Sequence, residues 1–267
     1  MDKKASANDQ AELGQVEIRI AHTATDAALI SDLFDKVWDV KSMVSPEIMT
    51  ASLHNGGYGS VVYIGHKGDK RVGEHRVVVG AAFALVGKAL PGCIGPNLHS
   101  HATGVLPEFV GMGIGEKIKR HQWHWAKENG FDTITWTFDP LVRRNAHFNL
   151  VKLGASVIGY HQNFYGELDD GINAGEQSDR VLVRWNVAGV DAPLGNSFMK
   201  PAPEAMLIET PADIEQLRKT DRVQSDAWRS QQRAAFESAR LSDLRVVGLT
   251  DDFSYVLDKR VETGGAL

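Results

Sequence analysis

The stretch VLPEFVGMGIGEKI, from Val105 to Ile118, decides how the rest of the chain is read. It runs from the apolar end of a strand through a proline step to Gly111, Gly113 and Gly115, and then into a helical pattern. Glycines let a backbone turn tightly and come close to a ligand. The first N–H groups of the helix that follows have no partner within it, and the helix dipole stands behind them. Such an end is a site for an anion, and a pyrophosphate is its natural guest. The third glycine of a dinucleotide loop is missing: counted from Gly113 and Gly115 its position is Ile118, and from Gly111 and Gly113 it is Glu116. No Gly-Lys-Ser follows, so a nucleotide-triphosphate loop is unsupported. The plainer alternative is a helix that merely starts at a glycine-rich turn.

Before this stretch, Val16 to Ile20 alternates as a strand. Thr25 and Asp26 offer N-caps to a helix carrying Leu29, Ile30, Leu33, Phe34, Val37 and Trp38 at helical spacing. Pro46 to Leu53 reads as a second helix. Ser60 to Gly65 and Arg76 to Val86 read as a hairpin around a charged loop, Lys67 to Glu74, and Asn97 to Leu106 as a fourth strand. The long helix spans Gly113 to Asn129. A strand (Thr133 to Phe138), a helix (Arg143 to Leu153) and a strand (Ser156 to Tyr160) come next. An acidic loop from His161 to Ser178 leads to a last strand, Arg180 to Val187. Gly189, Pro193, Gly195, Pro201 and Pro203 then mark a linker. Beyond it, strand patterns at Ala205 to Glu209, Arg245 to Leu249 and Phe253 to Leu257, with helices at Ala212 to Arg218 and Val223 to Ala239, make a small α+β annex. The expected division is a tail (1–15), a first domain (16–187), a linker (188–204) and the annex (205–267).

Composition narrows the function classes. With 29 basic and 34 acidic residues the formal charge is −5, which excludes a chain basic overall and built to coat nucleic acid. Hydrophobics at 43% and charged residues at 24% are globular values, so wholesale disorder is excluded. The one cysteine, Cys93, rules out a disulfide framework or a zinc site of several thiolates, and fits a reducing, cytoplasmic setting. No apolar run reaches the ~18 residues of a membrane span, and the polar start lacks a signal peptide's apolar core.

The stretch from Val105 resembles motif A of the GNAT superfamily of coenzyme A-dependent N-acyltransferases. There the pattern is Arg/Gln-x-x-Gly-x-Gly/Ala at the start of the third helix, after an apolar-Pro step. Here Val105 to Phe109 supply the step and Gly113, Ile114 and Gly115 the core, while Val110 stands at the leading polar position. Downstream, the family's Asn-x-x-Ala-x-x-x-Tyr-x-x-x-Gly helix is matched at Ala146 and Gly154, with Arg143 in place of Asn, Asn145 close by, and Leu150 in place of the family's general-acid Tyr. The order of strands and helices agrees over Val16 to Val187. Four runs, His99 to Pro107, Thr135 to Pro140, Arg144 to Asn149 and Asn163 to Gly166, are similar to a poorly characterised bacterial subgroup with a C-terminal extension. The resemblance implies an α/β (α+β) fold with a mixed, largely antiparallel sheet flanked by helices.

It also implies coenzyme A or acyl-CoA as co-substrate and no metal. The cofactor would lie on Val105, Gly111, Met112, Gly113, Ile114, Gly115 and Glu116, with Asn145 and Asn149 as further contacts, and a backbone N–H near Val105 would polarise the thioester. By ungapped position His99 falls where some members keep a catalytic glutamate. As alternate strand residues His99 and His101 share a face, and either could accept a proton from the amine. The same pair would also serve as hydrogen-bonded strand histidines, or as metal ligands if Glu167 or His161 converged on them. His121 and His124 read as packing or surface residues of the long helix. Tyr165 and Tyr160 are the nearest tyrosines for the proton donor, with Tyr165 preferred. Arg143 and Arg144 could meet phosphates. Arg222, Arg229, Arg233 and Arg240 put a positive face on the annex, either solvated or set to hold a carboxylate. The expected partner is a small-molecule amine such as an amino acid, without nucleic acid or membrane and compatible with a homodimer. Acetyl is the default acyl group and succinyl the second. The alternative is a non-catalytic acyl-CoA-binding or regulatory module, motivated by Val110 and Leu150.

Overall fold

The computed structural model describes residues 13–41, 43–66, 76–168 and 176–259. Most of the expected tail, the hairpin loop at Lys67 to Glu74, and Asp169 and Asp170 lie outside the described residues. Two compact units divide the chain, Met1–Ile134 and Thr135–Leu267.

In the first unit β1 (Leu13–Ile20), β2 (Tyr58–His66), β3 (Val77–Gly87) and β4 (Asn97–Val105) lie side by side in chain order, each antiparallel to the last. The start of β5 (Thr133–Phe138) follows β4, and Thr133 Oγ1 donates to Asn97 Oδ1 at 2.9 Å. Helix α1 (Ala24–Trp38) begins before Thr25: Thr23 is its N-cap, and Asp26 closes a capping box with it. Ser45 caps α2 (Pro46–His54), with Pro46 in the first turn. Both helices cover one face of the sheet, where Ile30, Phe34 and Met49 meet Val61, Ala81, Phe83 and Ala102. Strand neighbours point to opposite faces. Thus Gly80, next to Ala81, lies under α3 (Ile114–Glu128): a Cβ on it would stand 3.2 Å from Ile118. His121 of α3 hydrogen-bonds the Tyr58 hydroxyl at 2.9 Å, the packing role expected of it.

Strand β4 is not regular. Phe83 pairs with Ala102 but Ala84 pairs with Ser100, so His101 is an extra residue, a β-bulge. Across it the alternation slips. Ala102 belongs to the α1–α2 core, whereas Ser100 meets Lys119 of α3.

In the second unit the rest of β5 neighbours β9 (Arg180–Asn186), which pairs antiparallel with β6 (Ser156–His161). The helix expected from Arg143 to Leu153 is one α-helical turn, Arg143–Ala146, followed by a wider π turn, His147–Lys152; both are taken here as α4. Within the expected loop two short strands, β7 (Glu167–Leu168) and β8 (Glu176–Gln177), pair antiparallel. The later residues form a three-stranded antiparallel sheet, β10 (Met206–Ile208), β12 (Tyr255–Lys259) and β11 (Leu244–Leu249), with α5 (Ile214–Thr220) and α6 (Arg222–Leu241). Ile214, Leu217 and Trp228 pack on Leu141 and Val142 just after β5. The Pro/Gly stretch before β10 is pinned rather than loose. Asn196 donates from its backbone to Val151 O at 2.7 Å and from its side chain to Leu150 O at 2.9 Å, and the Phe198 ring stacks on His147.

The architecture is therefore mixed α/β, with a large, mostly antiparallel sheet flanked by helices. Among the described residues no helix is long and apolar enough to cross a membrane.

Candidate active site

The glycine turn is built as an open cradle. Gly111 and Gly113 have φ of +91° and +76°, in the left-handed region, and a Cβ on either would meet nothing within 4 Å. Gly113 is the N-cap of α3 and no side chain caps this end. Met112, Ile114, Gly115 and Glu116 complete the turn, and the Glu116 carboxylate is drawn to Arg120 at 2.9 Å. Val110, at the polar position of the pattern, is exposed. Val105 ends β4 opposite Gly80, and the next N–H, that of Leu106, goes to Val79 O at 2.9 Å.

Two residues on β4 were candidates for the base, and both are half-buried. His99 pairs with Leu85, which packs on the α1–α2 core, and His101 sets its ring edge-on to Phe83 of that core. The pair therefore shares a face although the bulge breaks the alternation. Burial, aided by the charges of His101 and Lys119, pulls His99 down to about 4. Burial also lowers His101. Both imidazoles are neutral near pH 7. Beneath them lies a residue that periodicity does not single out. Lys119 is buried, its Nζ donates to Ser100 Oγ and Gln122 Oε1 at 3.0 Å each, and burial pushes its ammonium well below the usual range. Among the described residues no group of His, Cys, Asp and Glu stands together to hold a metal.

In the second unit the loop around Tyr165 is rigidly built. Ser178 accepts from Phe164 N at 2.9 Å through its carbonyl and from Tyr165 N at 2.7 Å through its hydroxyl. Asp179 accepts from Asn163 N at 2.9 Å and from Tyr160 OH at 2.6 Å. The Tyr165 hydroxyl sits 3.3 Å from Thr137 Oγ1 on β5, and its ring lies under the Arg180 guanidinium at 5.6 Å. Tyr160 is a different case. Burial and the bond to Asp179 raise its pKa, so it holds its proton for structure.

The amide of Asn149 is engaged at both ends: Trp136 Nε1 donates to its Oδ1 at 2.7 Å, and its Nδ2 donates to Asn145 O at 2.8 Å. Asn145 is half-buried on the α-helical turn that precedes the π turn carrying Asn149. Arg143 is not available to a phosphate, because its guanidinium grips Thr210 O at 2.5 Å and Thr210 Oγ1 at 3.0 Å. Arg144 pairs with Glu215 at 2.7 Å.

Arg229 and Arg233 of the annex fit neither reading, whereas Arg222 and Arg240 are solvated. Arg229 makes a two-bonded pair with Asp139 (2.9 and 2.7 Å), and Arg218 adds a third bond at 2.5 Å. Arg233 holds Asp179 through two bonds of 2.9 and 2.6 Å. Arg222 and Arg240 make local, exposed pairs, with Asp226 and Glu237.

No family model matches the sequence, and no curated protein does. Solved structures do match. The chain is similar to NAA60 of Arabidopsis thaliana in complex with acetyl-CoA, at 10% identity and a TM-score of 0.50, over 66% of this chain and 100% of that one. It is also similar to Naa50 of Arabidopsis thaliana in complex with the bisubstrate analogue CoA-Ac-MVNAL (16% identity, 64% and 98% covered, TM-score 0.47). An acetyltransferase of the GNAT family from Streptococcus pneumoniae matches at 15% identity, with 65% and 100% covered and a TM-score of 0.46.

Proposed function

We propose that this chain, which has the GNAT fold, is an acyl-CoA-dependent N-acyltransferase that acylates the amine of a small molecule such as an amino acid. The observation that carries the reading is the uncapped, glycine-lined start of α3, which is open around Gly111 and Gly113: a Cβ on either would meet nothing within 4 Å. Its backbone N–H groups suit the pyrophosphate of coenzyme A. This also fits a chain of net charge −5, which holds a polyanion with backbone donors rather than with a basic surface.

The reaction needs a neutral amine, a polarised thioester carbonyl and a proton for the leaving thiolate. The amine nitrogen attacks the carbonyl carbon, the C–S bond breaks, the nitrogen gives up one proton to solvent, and the thiolate takes one up. In this reading His99 and His101 accept a hydrogen bond from the amine as neutral imidazoles, and Tyr165 supplies the proton. Val105 and the turn from Gly111 to Glu116 seat the cofactor, Asn145 is assigned to it as a further contact, and Asn149 steadies the α4 segment. Acetyl is the favoured acyl group, because Arg218, Arg229 and Arg233 of the annex already hold carboxylates of the chain itself.

Val110 and Leu150 favour a second reading, an acyl-CoA-binding module without turnover. Release of free thiol from acetyl-CoA with a panel of amines decides between them. Amine-dependent release supports the transferase, and tight cofactor binding without release refutes it.

A further inference from the structure

The arginines around β9 outnumber their carboxylates. Asp139 and Asp179, both buried, face Arg180, Arg218, Arg229 and Arg233, all of the same unit. Two positive charges are therefore in excess among these side chains. The two carboxylates are also saturated. Asp139 accepts both bonds of Arg229, one of Arg218 and one from Leu141 N. Asp179 accepts two bonds from Arg233, with Tyr160 OH and Asn163 N.

Arg180 is the one left over. Its side chain is 11% exposed. One N–H donates to Asp179 O at 2.9 Å, and the nearest carboxylate oxygen, on Asp139, stands 4.0 Å away. Nε and the other terminal nitrogen have no acceptor among the described residues. A guanidinium stays charged in proteins, and taking it out of water is costly unless its donors are matched. Its planar fork suits two oxygens of one carboxylate. The fork lies over the Tyr165 ring, whose hydroxyl reaches Thr137.

We propose that Arg180 binds a carboxylate carried by one of the two substrates, beside Tyr165. This rests on the transferase reading, with Tyr165 as proton donor. The carboxylate has two possible sources, the acceptor (an amino acid's own carboxylate) or a dicarboxylic acyl group such as succinyl.

The test is steady-state thiol release by the full chain and by Arg180→Met, with an amino acid or its amide as acceptor and acetyl-CoA or succinyl-CoA as donor. A charge-assisted pair removed from a substrate-bound site raises KM by about 10- to 100-fold. If the acceptor supplies the carboxylate, the rise is confined to the amino acid, and the amide and both donors keep their KM. If the acyl group supplies it, the rise is confined to succinyl-CoA. Arg180→Lys keeps the charge and loses the fork, so it should show a smaller rise in the same column, which covers the case where the Met variant does not fold. An equal loss in every column, or none, overturns the assignment. Turnover of the native chain only with amides and acetyl-CoA overturns it too, and leaves the transferase reading intact. No turnover with any pair, despite cofactor binding, removes both.

Discussion

His99 offers a sharp test, because its environment contradicts the ordinary picture of a histidine base. An α-amino group has a pKa of about 8, whereas burial and nearby positive charge hold His99 at about 4. Moving a proton from the ammonium to this imidazole is uphill by roughly four units, or ~5 kcal/mol at 1.36 kcal/mol per unit. On the transferase reading, a base so weak is not expected to strip the ammonium, and the amine is expected to lose its proton to water before it attacks. The imidazole is then left to accept a hydrogen bond from the neutral amine, a contact worth about 1 kcal/mol. The expected pH profile of kcat/KM rises with unit slope to the pKa of the amine itself and shows no break between pH 5 and 7. Acceptors of different basicity should shift the midpoint with them. His99→Ala should lower the whole curve by about 5- to 10-fold without moving its midpoint. Thiol release measured from pH 5 to 9 for both proteins decides it. A break near pH 6.5 that vanishes in His99→Ala, or a deficit that heals at pH 9, would show that His99 does accept the proton.

Three further outcomes follow from the same geometry. Gly113→Glu puts a side chain and a charge into the cradle at a residue with φ of +76°, so calorimetry should show coenzyme A binding abolished; unchanged affinity would contradict the cradle. Asp139→Ala strips the buried Arg218 and Arg229 of their shared carboxylate and should cost about 3–5 kcal/mol in urea unfolding, whereas a loss below about 1 kcal/mol would mean the cluster is not structural. For Lys119 the folded pKa lies below the unfolded value of about 10.4, so between the two the unfolded chain binds the extra proton and stability rises with pH, by up to about 1.4 kcal/mol per unit. Lys119→Met should flatten that rise, and an identical slope in both proteins would show that Lys119 is charged in the fold.

The parts of the fold that were legible in the sequence are those written in local periods. The strand Thr133–Phe138 matches its expected bounds, and α3 lies within a residue of its own, because glycines and alternation mark both ends. The bulge at His101 was not legible, since one inserted residue leaves the alternation of a short strand unchanged on paper. Nor was the π turn of α4, where the same apolar residues serve either helix. In the candidate site the cradle was visible as spacing. The partners of Arg218, Arg229 and Arg233 were not, for they lie 79, 90 and 54 residues away along the chain. Lys119 was hidden for a different reason. A lysine on the buried face of an amphipathic helix reads as a surface residue until the sheet that covers it is known.

Those long-range pairs change what the C-terminal residues are for. Asp139 caps the turn that leaves β5 by accepting from Leu141 N, and Asp179 fixes the loop that carries Tyr165 by accepting from Asn163 N. A buried carboxylate can do this only while its charge is met, and the charges come from α5 and α6. Arg218 and Arg229 complete Asp139, and Arg233 completes Asp179. The same unit ties Arg143 of α4 to Thr210 and the Tyr255 hydroxyl to Pro140 O at 2.9 Å. The annex is therefore bonded into the loop that presents Tyr165 and Arg180, rather than hanging from it by a tether. Substitutions in α6 can therefore shift the loop that carries Tyr165, because the carboxylates that build it are held by arginines 54 and 90 positions away in the sequence.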